Sequence, residues 1–197
     1  QGELYTADEL LKKALRYKGY WGSKGGITVS GGEPLLQMDF LTEFFKKAKA
    51  EGVHTNLDTS GNPFTDQEPW HSGWLELMKY TDLVMLDIKQ IEDDKHRELT
   101  GFSNKNILDL AQYLSNQGKH MWIRHVLVPG VTTDEADLKK TAEFIRTLKT
   151  VDRVEVLPYH KLGIQEWEHL GIPYKLEGID PPTDEQQKIA REILDAK

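Results

Sequence analysis

The sequence predicts an α/β fold, a partial (β/α)6 barrel of the TIM type with parallel strands, and places its 197 residues in one domain. Three observations lead there. Short apolar strands alternate with amphipathic helices along the chain, the pattern of repeated βα units. One unit takes roughly 30 residues, so about six fit, whereas a closed eight-stranded barrel needs about 250 residues. Five successive strands also end on polar or charged residues, at the end where parallel α/β folds hold their ligands. A doubly wound sheet is the alternative, although the Gly-x-Gly-x-x-Gly fingerprint of a dinucleotide site is absent.

Each element has its own signal. Thr6-Ala-Asp-Glu9 reads as a capping box, with Leu10, Leu11, Ala14 and Leu15 on one helical face and Gly25-Gly26 as the expected stop. Ile27 to Ser30 is a short strand entering Gly31-Gly32-Glu33-Pro34. Phe40, Leu41, Phe44, Phe45 and Ala48 mark a helix closed by Gly52, and Val53 to Leu57 a strand ending at Asp58-Thr59-Ser60-Gly61. Residues 62–72 are rich in Pro, Asp, Asn and His and read as loop before a short helix through Trp74, Leu77 and Met78. Leu83 to Lys89 is a buried strand. Ile107 to Leu114 forms a helical stripe stopped by Gly118, and His120 to Val128 a strand ended by Pro129-Gly130. A helix through Leu138, Ala142, Ile145 and Leu148, a strand Val154 to Leu157, and a helix capped by Thr183 complete the pattern. Lys161 to Pro182, with Trp167, Leu170, Ile172, Tyr174 and Leu176, lacks periodicity and is expected to pack on the barrel as an irregular arm, with the border of a groove for a partner's loop as the alternative.

Composition narrows the chemistry. Lys and Arg number 25 against 32 Asp and Glu, a net charge of −7, which argues against a nucleic-acid-binding face. No apolar run reaches the roughly 18 residues of a membrane span. There is no cysteine, so no disulfide, thiolate metal site or cysteine nucleophile can be built from this chain. The histidines at 54, 71, 96, 120, 125 and 169 show no metal-ligand spacing.

The strand ends carry Glu33, Asp58, the pair Asp87 and Lys89, Arg124 and His160, about one βα unit apart. Asp87 and Lys89 are two apart in an extended segment and so share a face. Charges at a barrel mouth are costly unless they pair or bind something. Singly, each has a plain reading: Asp58 as a turn cap, Asp87 and Lys89 as an ion pair, Gly31-Gly32 as a tight turn needing positive φ. Their recurrence at five successive strand ends favours a ligand site.

The surrounding motifs are more specific. Val29-Ser-Gly-Gly-Glu-Pro34, His54-Thr-Asn-Leu-Asp-Thr-Ser-Gly61, Asp82-Leu-Val-Met-Leu-Asp-Ile-Lys-Gln90, Trp122-Ile-Arg124, Val128-Pro-Gly130 and Leu157-Pro-Tyr-His160 occur in the order found in one group of radical S-adenosylmethionine enzymes. From about Thr6 to its end the chain resembles the glycyl-radical-enzyme activases of that superfamily, above all those acting on pyruvate formate-lyase. The resemblance implies reductive cleavage of S-adenosylmethionine at a [4Fe–4S] cluster, giving methionine and a 5′-deoxyadenosyl radical that takes a hydrogen atom from a partner glycine. It also implies an electron donor such as flavodoxin or ferredoxin, a cytoplasmic location, and neither nucleic acid nor membrane as partner. Gly31, Gly32 and Glu33 would meet the methionine amino group, and Lys89 its carboxylate. Asp87, Arg124 and His160 would contact the cofactor or hold its neighbours, and Val126 would lie near the adenine. Asp58, with the backbone carbonyls of Thr59 and Met85, would hold a monovalent cation.

One departure stands out: the family carries a C-x-x-x-C-x-x-C loop after its first strand, and this sequence has no cysteine. The expectation is that a first strand and this cluster loop precede Gln1, and that the chain alone is inactive. Rival readings are an activase of another glycyl radical enzyme, an aldolase or decarboxylase using Lys89 as a Schiff base, and a non-catalytic scaffold that binds S-adenosylmethionine or a partner.

Overall fold

The structure is a computed structural model and describes residues 2–23, 25–163 and 169–196. In chain order the elements are α1 (Ala7–Leu15), β1 (Gly26–Val29), α2 (Met38–Ala50), β2 (His54–Thr59), α3 (Trp70–Met78), β3 (Leu83–Asp87), α4 (Asp93–Thr100), α5 (Lys105–Asn116), β4 (Met121–Leu127), α6 (Glu135–Arg146), β5 (Val151–Pro158) and α7 (Asp184–Leu194). Single 3-10 turns cover Lys18–Tyr20, Pro34–Gln37 and Lys161–Gly163.

All four strand pairings are parallel and the sheet order is β1-β2-β3-β4-β5. This order decides between the two architectures. A doubly wound sheet reverses its strand order to put helices on both faces. Here each strand lies beside its predecessor, and right-handed crossovers then place the packed helix of each βα unit on the same face, as in a barrel wall. The chain forms five strands of such a partial barrel.

Side-chain alternation separates the two faces. Leu57, Val84, Leu86, Met121, Ile123 and Val154 point to the helices and are buried with Leu41, Phe44, Phe45, Trp74, Leu110 and Leu114. The alternate residues, Thr28, Asn56, Asp58, Met85, Asp87, Trp122, Arg124, Arg153 and Glu155, line the concave face. The ladder sets their register: Asp58 beside Met85, Met85 beside Trp122, Asp87 beside Arg124, Arg124 beside Glu155.

Several expectations need correction. Helix α1 ends at Leu15, ten residues before the glycine pair, because a 3-10 turn at Lys18–Tyr20 intervenes. Helix α3 begins inside the expected loop, at Trp70. Strand β3 closes at Asp87, so Lys89 stands just beyond it. Helix α4 was not expected: Asp-Asp-Lys-His-Arg-Glu-Leu-Thr has no apolar stripe, and His96 is its one buried residue. The irregular arm is present where it is described, while Trp167 lies outside the described residues.

Candidate functional site

The C-terminal ends of β1 to β5 form one row, and local sequence explains the pose of each. After β1 the chain turns through Gly31 (φ +89°) and Gly32 (φ +53°). A Cβ on either would meet nothing within 4 Å, so glycine is required there by conformation and not by space. The turn delivers Glu33 to the end of β2. Its carboxylate accepts from Leu35 N (3.1 Å), Thr59 Oγ1 (2.6 Å), Ser60 N (3.0 Å) and Ser60 Oγ (2.6 Å). A carboxylate offers about four lone-pair sites. Glu33 therefore latches the glycine turn to the Asp58-Thr59-Ser60 segment, and an incoming N–H donor must replace one of these four. The Ser60 hydroxyl, a free rotor, is the donor that can turn away at least cost.

From β2 to β4 runs a chain of charges. Arg124 Nη2 lies 2.8 Å from Asp58 Oδ1 and 3.0 Å from Asp87 Oδ1, and Arg124 Nε donates to Asp87 Oδ1 at 3.0 Å. Lys89 Nζ is 3.2 Å from the other Asp87 oxygen, Oδ2. Burial holds the Asp58 carboxyl above the usual carboxylate range. Arg124 pulls it back, while the Asp87 and Glu33 carboxylates add to the effect of burial. Among the described residues no group of three or more His, Cys, Asp or Glu side chains could hold a metal ion.

Beyond Lys89 the row opens into a cavity of about 600 Å³ whose walls include Val126, Leu157, Tyr159, His160, Tyr174 and Leu176. Its lining is mainly apolar, and Lys89 stands where it meets the charged row. Val126 and Leu157 are ladder neighbours on β4 and β5. The arm supplies Tyr174 and Leu176, and the Tyr159 and Tyr174 hydroxyls are 2.8 Å apart. Burial and the Tyr159 contact push the Tyr174 hydroxyl up to about 12. Helix α4 adds Leu99 and Thr100.

A larger opening, about 830 Å³, lies at the opposite mouth among Gly26, His54, Asn56, His120 and Trp122. None of the strand-end charges lines it, although Met85, the ladder neighbour of Asp58, does. We assign the site to the smaller cavity because parallel barrels present side chains for chemistry at strand C-termini.

Of the residues expected from sequence, Asp58, Asp87, Lys89 and Arg124 form one connected set. Val126 and His160 line the adjoining cavity, and Gly31, Gly32 and Glu33 join the set through Thr59 and Ser60. Thr59 is buried, its hydroxyl committed to Glu33 and to the Gly61 N–H. Met85 neighbours Asp58 in the ladder. Sequence reasoning missed Ser60, Tyr159 and the α4 wall, and placed Tyr174 only on an irregular arm. The aromatic residues of the arm were a signal, but one without periodicity to place them.

The family model described as the radical SAM superfamily matches residues 1–145. The pyruvate formate-lyase-activating enzyme of Streptococcus mutans is 52% identical over 189 residues, covering 96% of this chain and 72% of that protein. The enzyme of the same name from Staphylococcus epidermidis is 52% identical over 186 residues, 94% of this chain and 74% of that protein. Among solved structures, a domain of pyruvate-formate lyase-activating enzyme from Bacteroides vulgatus superposes with a TM-score of 0.70 at 27% identity, over 87% of this chain and 93% of that one. A radical SAM methyltransferase from Sphaerobacter thermophilus shares the fold, with a TM-score of 0.66 at 17% identity over 96% of this chain and 53% of that one.

Proposed function

We propose, from the premise that this chain belongs to the radical SAM superfamily and within it to the pyruvate formate-lyase-activating enzymes, that its strand-end site binds S-adenosylmethionine and serves the formation of a glycyl radical in pyruvate formate-lyase. The observation that carries the reading is the division of the site. A row of charges of both signs adjoins an apolar cavity of about 600 Å³, as a zwitterionic amino acid joined to a nucleoside requires. A phosphate ligand fits poorly beside Glu33, Asp58 and Asp87.

When bound, S-adenosylmethionine supplies, on one-electron reduction, the deoxyadenosyl radical that removes hydrogen from a glycine. The chain's own residues bind and orient. Lys89 holds the methionine carboxylate as a point charge, which means sharing itself with Asp87. Glu33 and the carbonyls of Gly31 and Gly32 receive the amino group. Arg124 and Asp87 fix the floor beneath it. Val126, with Leu157 and Tyr159, shelters the adenine, and His160 borders the rim. Asp58, with the carbonyls of Thr59 and Met85, takes a monovalent cation beside the carboxylate. The apolar walls exclude water, which limits where a radical can react.

The [4Fe–4S] cluster that the family implies has no ligands here: thiolates hold such clusters and none of the 197 residues is cysteine. No step is assigned to it. Anaerobic reconstitution with iron and sulfide is expected to leave the chain without cluster absorption, and uptake of a cluster would contradict this. Partner, location and electron source follow the same reading: the glycine loop of pyruvate formate-lyase, the cytoplasm, and a flavodoxin or ferredoxin. The 197 residues act as one partial-barrel unit. Among the described residues no helix is long and apolar enough to cross a membrane.

Calorimetric titration tests the binding claim. S-adenosylmethionine should give saturable one-site binding and ATP, with the same nucleoside but a phosphate chain, none. Absence of binding by S-adenosylmethionine, or equal binding of both, would overturn it.

A further inference from the structure

Lys89 stands just beyond β3, past the last residue of the ladder, Asp87. Buried side chains hold the backbone there. Ile88 N donates to the Arg124 carbonyl at 2.9 Å, and the Ile88 carbonyl oxygen lies 2.9 Å from His125 Nδ1. Asn104 Nδ2 donates to the Gln90 and Ile91 carbonyls at 3.1 and 2.6 Å. The Gln90 side chain folds back, with Oε1 accepting from Ile91 N at 2.7 Å and Glu92 N at 3.2 Å. The peptide that carries Lys89 is thus clamped one residue before it and one and two residues after it. His125 and Asn104 are 3% and 4% exposed, and neither lines the cavity.

Both side chains are unusual choices for their own elements. The helix-facing row of β4 is Met121, Ile123, His125 and Leu127, so an imidazole interrupts an apolar series. Asn104 sits at the N-cap of α5, where Asn commonly caps, yet its side chain makes no cap bond. Each directs its hydrogen-bonding capacity at the exit of β3 instead. We propose that His125 and Asn104 are positioning residues for Lys89, which fix the backbone from which its Nζ reaches the carboxylate of the ligand. The lysine side chain is long and flexible, and a fixed Cα leaves only its rotamers to be ordered on binding. Without the clamp, the Ile88, Gln90 and Ile91 carbonyls lose buried donors, and the segment must shift to find others. The inference rests on the reading of Lys89 given above and adds to it what sets the lysine in place.

A double-mutant cycle tests this, because a merely structural role would leave the losses additive. S-adenosylmethionine is titrated by calorimetry, below each melting temperature, into the parent, His125→Phe, Asn104→Ala, Lys89→Met and the two double variants with Lys89→Met. Lys89→Met alone should weaken binding about tenfold or more, the scale of a hydrogen bond to a charged group. His125→Phe and Asn104→Ala should each lose part of that factor. Added to Lys89→Met, each should cost little more, since the lysine whose position is at stake is gone. 5′-Methylthioadenosine, which keeps the nucleoside without the amino acid, should bind the parent and both clamp variants alike. Asn104→Ala carries the cycle if His125→Phe does not fold. Equal losses with and without Lys89, equal losses for both ligands, or clamp variants that bind like the parent would overturn the inference while leaving the Lys89 reading intact. If Lys89→Met itself binds like the parent, the Lys89 reading fails and the inference with it.

Discussion

His125 is 3% exposed on the helix-facing side of β4, with Nδ1 2.9 Å from the Ile88 carbonyl oxygen and Nε2 3.3 Å from that of Thr132. A neutral imidazole has one N–H, so it can donate to only one of these oxygens. Burial holds its pKa below the ordinary 6.5, and the two carbonyls pull the other way. The folded value thus lies below the unfolded one. Above about pH 6.5 both states are neutral and the full stability is present. As pH falls further the unfolded chain takes the proton first, and stability is lost down to the folded value. Melting temperature should therefore drop between pH 7 and pH 5, and drop less in His125→Asn; parallel pH profiles would contradict this. Lys89 gives the second residue-scale prediction. Its 3.2 Å pair with Asp87 is the plain reading that the sequence allowed, yet the side chain also lines the cavity. Lys89→Met should weaken S-adenosylmethionine binding by about 1.5–3 kcal/mol, the scale of a hydrogen bond to a charged group. Its melting temperature should change little, because an apolar chain of similar length fills the space. A destabilised mutant whose folded fraction binds normally would make the pair purely structural. At this scale the sequence was informative because a spacing of two in extended chain fixes a shared face. It could not show that Arg124 would bridge Asp58 and Asp87, since that depends on the register of β2, β3 and β4.

Among the elements, the turn after β1 illustrates local sequence set by tertiary need. Gly31 and Gly32 both have positive φ, and Glu33 ties the turn to the end of β2 through three accepted hydrogen bonds, from Thr59 Oγ1, Ser60 N and Ser60 Oγ. Gly31→Ala meets no neighbour but forces a side chain into left-handed backbone, a cost of about 1–2 kcal/mol. Most of the core lies elsewhere, so the expected result is a modest loss of melting temperature with a larger loss of S-adenosylmethionine affinity, as the turn relaxes away from Ser60. Unchanged affinity would show that the turn does not border the ligand. Strongly periodic elements were legible: α2, α5 and α6 bury most of the residues that their apolar stripes name, and α7 buries Ala190 and Leu194. Helix α4 was not legible. It is held by polar contacts, with Asp93 accepting from Arg97 Nε (2.7 Å), Ser103 Oγ (2.6 Å) and Asn104 N (2.9 Å), and these bring its Leu99 and Thr100 to the cavity. The arm follows the same rule, since the Tyr159–Tyr174 contact joins residues that no periodicity relates.

In the whole molecule, sequential strand order concentrates the chemistry. Each strand adds its terminal side chain next to the previous one, so residues spread from Gly31 to His160 become neighbours along one rim. The alternation of strands and helices made the class legible, and the strand order, which periodicity does not encode, separated a barrel wall from a doubly wound sheet. Among the described residues the same order leaves β1 and β5 with one partner each, and such free edges promote pairing between chains. Concentration-dependent self-association is expected in sedimentation, and a single monomeric species at every concentration would contradict it. The central claim is that the rim and its adjoining cavity form one ligand site, and a crystal structure with S-adenosylmethionine and potassium tests it most directly. The account predicts the adenine against Val126 and Leu157 and the methionine carboxylate beside Lys89. A ligand seated in the opposite mouth, among His54, His120 and Trp122, would contradict it.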